Sequence, residues 1–323
     1  MASSTPATRY PVYVPTKGRA KSALTIKTMR KYRTPFVIVV EEPEVELYRK
    51  WVDDIDYGEL LVLPWVGNDA TRKAFCEERE IENGGLIAVR NWIKERSLAR
   101  GEKRHWQLDD NIRMFRMWYK KNRIPCEPSL ALRACEEFVD RYENVAIAGL
   151  NYEMFCVPGI NVPPFYLNVH VYSCSLILNE IPHRWRLAYN DDTDICLQVL
   201  SDGWCTVLLN AFMATKAKTM SLKGGNTDDL YQGDGRAKMS RALERMWPGI
   251  VTTERRYGRP AHCVKNQWRQ FDTPLKRRED IDWKAIENGR GKFSTKVTVR
   301  QVAEVKSDVM RKILEDATPT TDP

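Results

Sequence analysis

At 323 residues the chain is long enough to bury a sizeable core, as one large α/β domain or two small ones. Its 43% hydrophobic and 29% charged residues are ordinary for a soluble globular protein. No apolar run reaches the ~18 residues of a membrane span, and the net charge of +8 permits a polyanionic partner without dictating one.

"YPVYVP" (10–15) reads as a short strand ended by Pro15, and "KSALTIKTMRKY" (21–32) as a helix. "PFVIVVEE" (35–42) is a continuous apolar run ending in acids, the pattern of a buried parallel strand. "EVELYRKWVDDI" (44–55) is helical, "ELLVLPW" (59–65) is a third strand, and "GLIAVRNWIKERSLAR" (85–100) has apolar residues at helical spacing. "RHWQL" (104–108) is a fourth strand and stops at Asp109 and Asp110. This alternation predicts a sheet flanked by helices, which collects ligands at the carboxyl ends of its strands.

The second half is less regular. "NVAIAGLNYEMF" (144–155), "FYLNVHVYSCSLIL" (165–178) and "WCTVLLNAFMATKAK" (204–218) read as strands. "DTDICLQVLSDG" (192–203) and "DGRAKMSRALERMW" (234–247) read as helices, the latter stopped by Pro248. A last helix is expected over 298–317. With no repeat or low-complexity linker, the expected organisation is one compact domain over 1–283 and a C-terminal extension with one helix over 284–323.

Two acidic groups carry the chemistry. Asp109-Asp110-Asn111 reads either as a turn or helix N-cap leading into 112–121, or as a divalent-cation site at a strand end, where hard cations find oxygen ligands. "YNDDTD" (189–194) offers Asp191, Asp192 and Asp194, which either cap the following helix or supply a general base for a hydroxyl proton.

Other motifs are excluded. "PTKGRAKSA" (15–23) lacks phosphate-loop spacing, "LKGGN" (222–226) is a glycine turn, and no Gly-x-Ser-x-Gly occurs. The four histidines lack zinc spacing, and the eight cysteines form no Cys-x-x-Cys pair, so most read as small core residues in a reducing compartment. Without a secretory leader, the expected location is the cytoplasm. Basic clusters at 27–33, 113–123, 235–245, 254–259 and 274–280 are either solvated faces or phosphate contacts. Trp118, Tyr119, Tyr257, Trp268 and Phe271 lie close to three of them, a mixture that suits phosphate neutralisation with base stacking.

"YPVYVPTKGRA" (10–20), "VVEEPE" (39–44), "HWQLDDNIRMF" (105–115), "YNDDTDICLQVLSDGW" (189–204) and "MSLKGGNT" (220–227) together resemble the TET-associated glycosyltransferases, a family known from bacteriophages. The resemblance runs from about residue 10 to 270. It implies a GT-A fold, a Rossmann-type central sheet flanked by helices that binds a nucleotide-sugar, expected to be a UDP-sugar. It also implies a Mn²⁺ or Mg²⁺ ion on the diphosphate. Carried onto this chain, Asp110 and Asp109 become the metal and phosphate-side acids, and His262 a late metal ligand. Pro15, Thr16, Arg19, Glu41 and Glu42 border the nucleotide, while Arg90 and Asn91 meet its ribose or phosphates. Asp192 becomes the base, with Asp191 and Asp194 as rivals. The implied acceptor is 5-hydroxymethylcytosine in DNA, reached in the major groove or after base flipping, inside an infected bacterial cell. A protein or glycan hydroxyl as acceptor, or a nuclease-like or non-catalytic DNA-binding protein, are the alternatives.

Overall fold

A computed structural model describes residues 7–217, 235–256 and 258–287. The glycine turn at 222–226, Tyr257 and the helix expected over 298–317 lie outside the described residues. The first half runs β1 (Val12–Pro15), α1 (Leu24–Lys31), β2 (Phe36–Val40), α2 (Val45–Arg49), β3 (Gly58–Val62), α3 (Ala70–Glu78), α4 (Ile87–Ala99) and β4 (Arg104–Leu108). It continues through β5 (Ile112–Tyr119), β6 (Asn122–Cys126), α5 (Pro128–Val139), β7 (Val145–Tyr152), β8 (Phe165–Leu167) and β9 (Cys174–Leu178). Then come α6 (Asp191–Ser201), β10 (Cys205–Lys216), α7 (Gly235–Met246), the hairpin β11 (Val251–Arg256) and β12 (Arg259–Val264), and α8 (Trp283–Glu287). The boundary expected at 283/284 falls inside α8, whose Trp283 ring lies 5.5 Å from that of Tyr142.

Ten strands form one mixed sheet in the order β3-β2-β1-β4-β9-β7-β10-β5-β6, with β8 paired to β10. Strands β3, β2, β1 and β4 are parallel, and the order turns back between β1 and β4, where α/β sheets open a crevice for ligands. The fold is therefore α/β, a Rossmann-type parallel half with mixed strands beyond it. Strands β1, β2 and β4 are buried along their whole length because helices cover both faces. Val12, Val14, Ile38, Val40, Trp106 and Leu108 face Ile26 and Met29 of α1 and Leu132 of α5. The alternate residues Tyr13, Val37 and Val39 face Ala88 and Ile93 of α4, as the period-two pleat requires.

Several elements depart from expectation. The segment after Asn111 is strand, not helix: Ile112–Tyr119 pairs antiparallel with both β6 and β10. Its bulky and β-branched side chains have sheet partners on both sides, and that tertiary context settles an ambiguous pattern. The single strand expected over 165–178 is two, β8 and β9, separated by a loop in which Asn168 (φ 54°) and Ser173 (φ 60°) are left-handed. Helix α5 is absent from the sequence reading although its apolar face is regular: Ala131, Leu132, Cys135, Phe138 and Val139 are all buried. Helix α3 and the hairpin β11–β12 are also additions, and Asp69 caps α3 by accepting from the Arg72 N–H at 2.9 Å.

One glycine sets the depth of the crevice. A Cβ on Gly149 of β7 would lie 2.3 Å from the carbonyl oxygen of Cys174 and 2.4 Å from Val171 Cγ1. Only a residue without a side chain lets the 171–174 backbone close onto β7, and that closure brings Ser173 to the end of β4.

Candidate active site

Strand β4 delivers Asp109 and Asp110 to the crevice beside β1. The turn is fixed by its backbone: Asp109 N donates to Ser173 O at 2.7 Å, Thr25 N to Asp110 O at 3.2 Å, and Thr25 Oγ1 to Asp109 O at 2.5 Å. The two carboxylates then diverge. Asp110 turns toward β1, accepting from Thr16 Oγ1 at 2.8 Å and from Arg19 Nη1 at 2.5 Å. Asp109 turns toward β10, accepting from Ser173 Oγ at 2.7 Å and from Lys216 Nζ at 2.6 Å.

Their protonation tendencies diverge as well. Burial pushes the Asp110 carboxyl above its ordinary range, an effect that Arg19 and Thr16 only partly offset. Burial also disfavours charge on Asp109, but Lys216 and Arg90 outweigh it and hold that carboxyl below its ordinary range. The mutual repulsion of the neighbours is thus relieved by protein cations, one to each side.

Arg90 on α4 joins the two acidic groups. Its Nη2 lies 3.6 Å from Asp109 Oδ1, its Nε 2.7 Å from Asp191 Oδ2, and its Nη1 donates to Gln107 Oε1 at 3.3 Å. Burial works against the guanidinium charge, yet Asp191, Asp109 and Asp192 together raise its pKa. The start of α6 is therefore drawn to the end of β4.

The three aspartates of α6 have different surroundings. Asp194 is fully buried and accepts from Arg186 (2.6 and 3.1 Å), Gln198 (2.8 Å) and Trp247 Nε1 (2.8 Å), so its oxygens are committed to packing. Asp191 is paired with Arg90. Among the described residues Asp192 has one hydrogen bond, from the Thr193 N–H at 2.8 Å, and burial followed by the charge of Asp191 raises its pKa to about 7.

The remaining expected residues separate. Pro15 ends β1, and Thr16 and Arg19 meet Asp110 there. Glu41 is buried at the end of β2, accepting from Lys17 Nζ at 3.1 Å and Gly67 N at 3.0 Å, whereas Glu42 is exposed. Glu44 receives the Gly18 N–H at 2.6 Å and so shapes the loop after β1. Asn91 is turned away, its amide spent on Ile87 O (3.0 Å) and on Trp185 O (2.8 Å) and N (3.3 Å). His262 stands on β12 opposite Thr253, with Arg256 as its charged neighbour.

Three residues that the sequence reading passes over complete the site: Lys216, Ser173 and Tyr152. Lys216 Nζ also donates to Ser173 Oγ (2.9 Å) and Tyr152 Oη (3.3 Å), and those two hydroxyls are hydrogen-bonded at 2.5 Å. The signal for Lys216 is a cation that interrupts the end of a long apolar strand. Its aim comes from a bulge: Thr215 pairs with Met114 but Lys216 with Ile112, so β5 carries one extra residue beside the acidic turn.

The donor set does not fit the expected divalent ion. Both Asp110 oxygens are taken by Thr16 and Arg19, and Asp109 carries Lys216 on one oxygen with Arg90 near the other. Among the described residues no three His, Cys, Asp or Glu side chains gather to hold a metal, and His262 joins no such group. The chemistry the corner offers is a set of cations, Arg19, Arg90 and Lys216, steadied by carboxylates at a strand edge. No helix among the described residues is long and apolar enough to cross a membrane.

The family model described as TET-Associated Glycosyltransferase matches residues 10–225, which contain both acidic groups and Lys216. No curated protein matches the chain.

Proposed function

The chain belongs to the TET-associated glycosyltransferase family, and on that premise we propose that it moves a sugar from a UDP-sugar to the hydroxymethyl group of 5-hydroxymethylcytosine in DNA. It is a glycosyltransferase, and its family implies a nucleotide-sugar donor. The observation that carries the reading is the Arg90 bridge. It sets the Asp192 helix beside the strand edge where a nucleotide diphosphate binds in this fold class.

In this reading Pro15, Thr16, Arg19 and Glu41 border the nucleotide, and Asp109 orients the cations around its phosphates. Asp192 accepts the proton of the attacking hydroxyl while the anomeric carbon changes partner from the diphosphate oxygen to the acceptor oxygen. The diphosphate leaves with the electrons of the broken bond, and the preorganised cations stabilise the charge it gains.

Support for a DNA acceptor comes from the surface around α6. A line of rings runs Phe155, Tyr152, Tyr172, His170, Trp268 and Phe271, with successive centroids 6.1, 4.4, 4.8, 5.5 and 6.1 Å apart; Tyr172 is buried in the core and the other five are half-buried. It leads from the hydroxyl beside Lys216 to the hairpin unit, where Arg241, Arg245, Arg255, Arg259, Lys265 and Arg269 are exposed. Rings stack bases and cations meet phosphates. The extension over 284–323 begins, in this reading, within α8, whose Trp283 packs on Tyr142.

Incubating the protein with hydroxymethylated DNA and a panel of UDP-sugars tests the reading. One sugar mass added to the hydroxymethylcytosine nucleoside is expected. Donor consumption that labels a protein or glycan, and leaves every DNA nucleoside unchanged, would replace the acceptor.

A further inference from the structure

We infer that Lys216, together with Arg90, neutralises the diphosphate of the donor in the place of a divalent ion, so that donor binding and transfer proceed without metal. The inference rests on the nucleotide-sugar donor of the preceding reading but not on its acceptor.

A divalent ion carried on a diphosphate still needs one or two carboxylates whose oxygens face it and not another cation. Three of the four carboxylates here already face a positive group: Asp110 meets Arg19 at 2.5 Å, Asp109 meets Lys216 at 2.6 Å, and Asp191 meets Arg90 at 2.7 Å, while the fourth, Asp192, is the proposed base. To bind there, an ion would have to displace one of these cations and leave it stranded close by. Repulsion between a double and a single positive charge in a half-buried site is costly, and the arrangement provides no escape for Arg90, whose side chain is only 10% exposed.

Lys216 has the features that a replacement requires. It ends β10, and the bulge opposite β5 aims it at the acidic turn. The stem is largely covered, with 16% of the side chain exposed, so the ammonium is held at the crevice and not free in water. Its weakest contact is the 3.3 Å one to Tyr152, and Asp109 Oδ2 keeps the Ser173 hydroxyl as a second donor. An N–H can therefore pass from Tyr152 to a phosphate oxygen while the lysine stays anchored to Asp109. Arg90, charged and held between Asp109 and Asp191, supplies the second positive group. No bond forms or breaks on either side chain; both offset charge that moves onto the leaving diphosphate.

The test measures calorimetric binding of UDP, CDP, GDP and ADP to the full chain, in excess EDTA and with Mn²⁺, together with manganese electron paramagnetic resonance. At least one nucleoside diphosphate is expected to bind with the same affinity in both conditions, to within about twofold. Lys216→Ala should weaken that binding about 10- to 100-fold, the loss of a charged hydrogen bond, and Lys216→Arg should recover part of it. A thermal midpoint of Lys216→Ala matching wild type shows that the loss is not unfolding. Binding that collapses in EDTA and returns with Mn²⁺, alongside a bound-manganese signal abolished by Asp109→Asn, would overturn the inference. So would wild-type affinity in Lys216→Ala, or no binding in either condition. Metal-free binding with no sugar transferred to hydroxymethylcytosine would leave this inference standing and remove only the acceptor.

Discussion

Arg90 Nε lies 2.7 Å from Asp191 Oδ2, although the two residues belong to different elements and are about a hundred positions apart. Because the same guanidinium also faces Asp109 at 3.6 Å, the donor edge and the first turn of α6 share one charge. Removing it as Arg90→Ala leaves two largely covered carboxylates facing each other, which should cost about 3 kcal/mol of stability by analogy with other broken buried pairs. Urea unfolding measures this. A double mutant with Asp191→Asn should recover part of the loss; strictly additive effects would deny the coupling.

Asp192→Asn keeps the size of the side chain and removes the base. Turnover should fall by about 10²- to 10⁴-fold with little change in donor KM, as expected for loss of a general base. Steady-state kinetics with the labelled donor decide it, and near-normal kcat would pass the role to another group.

Asp194→Ala should act differently. The residue is fully buried and accepts from the partly exposed Arg186, Gln198 and Trp247, so truncation removes the acceptor that ties all three together. A loss of about 3 kcal/mol in stability is expected, seen as a lower thermal midpoint. Turnover of the protein that remains folded should fall less than in Asp192→Asn, since Asp194 positions α6 and is not the base.

The pH profile follows from the raised Asp192 carboxyl. Its folded-state pKa of about 7 lies above the ordinary 3.8, so the folded protein holds this proton more tightly than the unfolded chain. The stability it contributes is fully present below pH 3.8 and is lost as pH rises through about 7. Activity runs the opposite way, since only the ionised carboxylate accepts a proton: kcat should rise through about pH 7 and level off above. Asp192→Asn should flatten that part of the stability curve, and its thermal midpoint should gain on wild type at pH 8.

If the acceptor is DNA, affinity should fall linearly with salt on a double-logarithmic plot, with a slope of about −0.9 per phosphate contact. Arg255→Ser with Arg259→Ser should reduce the slope by about two if both touch phosphate. An unchanged slope would move the DNA to another face.

The parallel half of the fold was legible because strand and helix signals alternate along it, and Phe36–Val40 is a short apolar run rich in β-branched residues. Membership of the glycosyltransferase family was legible in the two acidic blocks read together. The alternate use of Asp109 and Asp110 was not. It depends on Ser173 and Lys216, brought in from 64 and 107 residues away by strands whose pairing sequence order does not reveal. The divalent ion was expected because paired acids in isolation ask for a cation, and a strand read alone does not say that a lysine three strands away in the sheet already faces one of them. Helix α5 went unseen although Pro128 at its first position and a regular apolar face both mark a helix there.

The indole of Trp247 donates to Asp194 across the limit of the family match at residue 225. The helix bearing the proposed base is thus clamped by a unit that the matched region does not include. Grafting the hairpin unit onto a relative, or trimming it away to isolate a minimal enzyme, would loosen α6 unless Trp247 and the Arg186–Asp194 pair travel together. Substrate preference in such chimaeras should therefore change hands in whole modules, with the crossover point placed before residue 186.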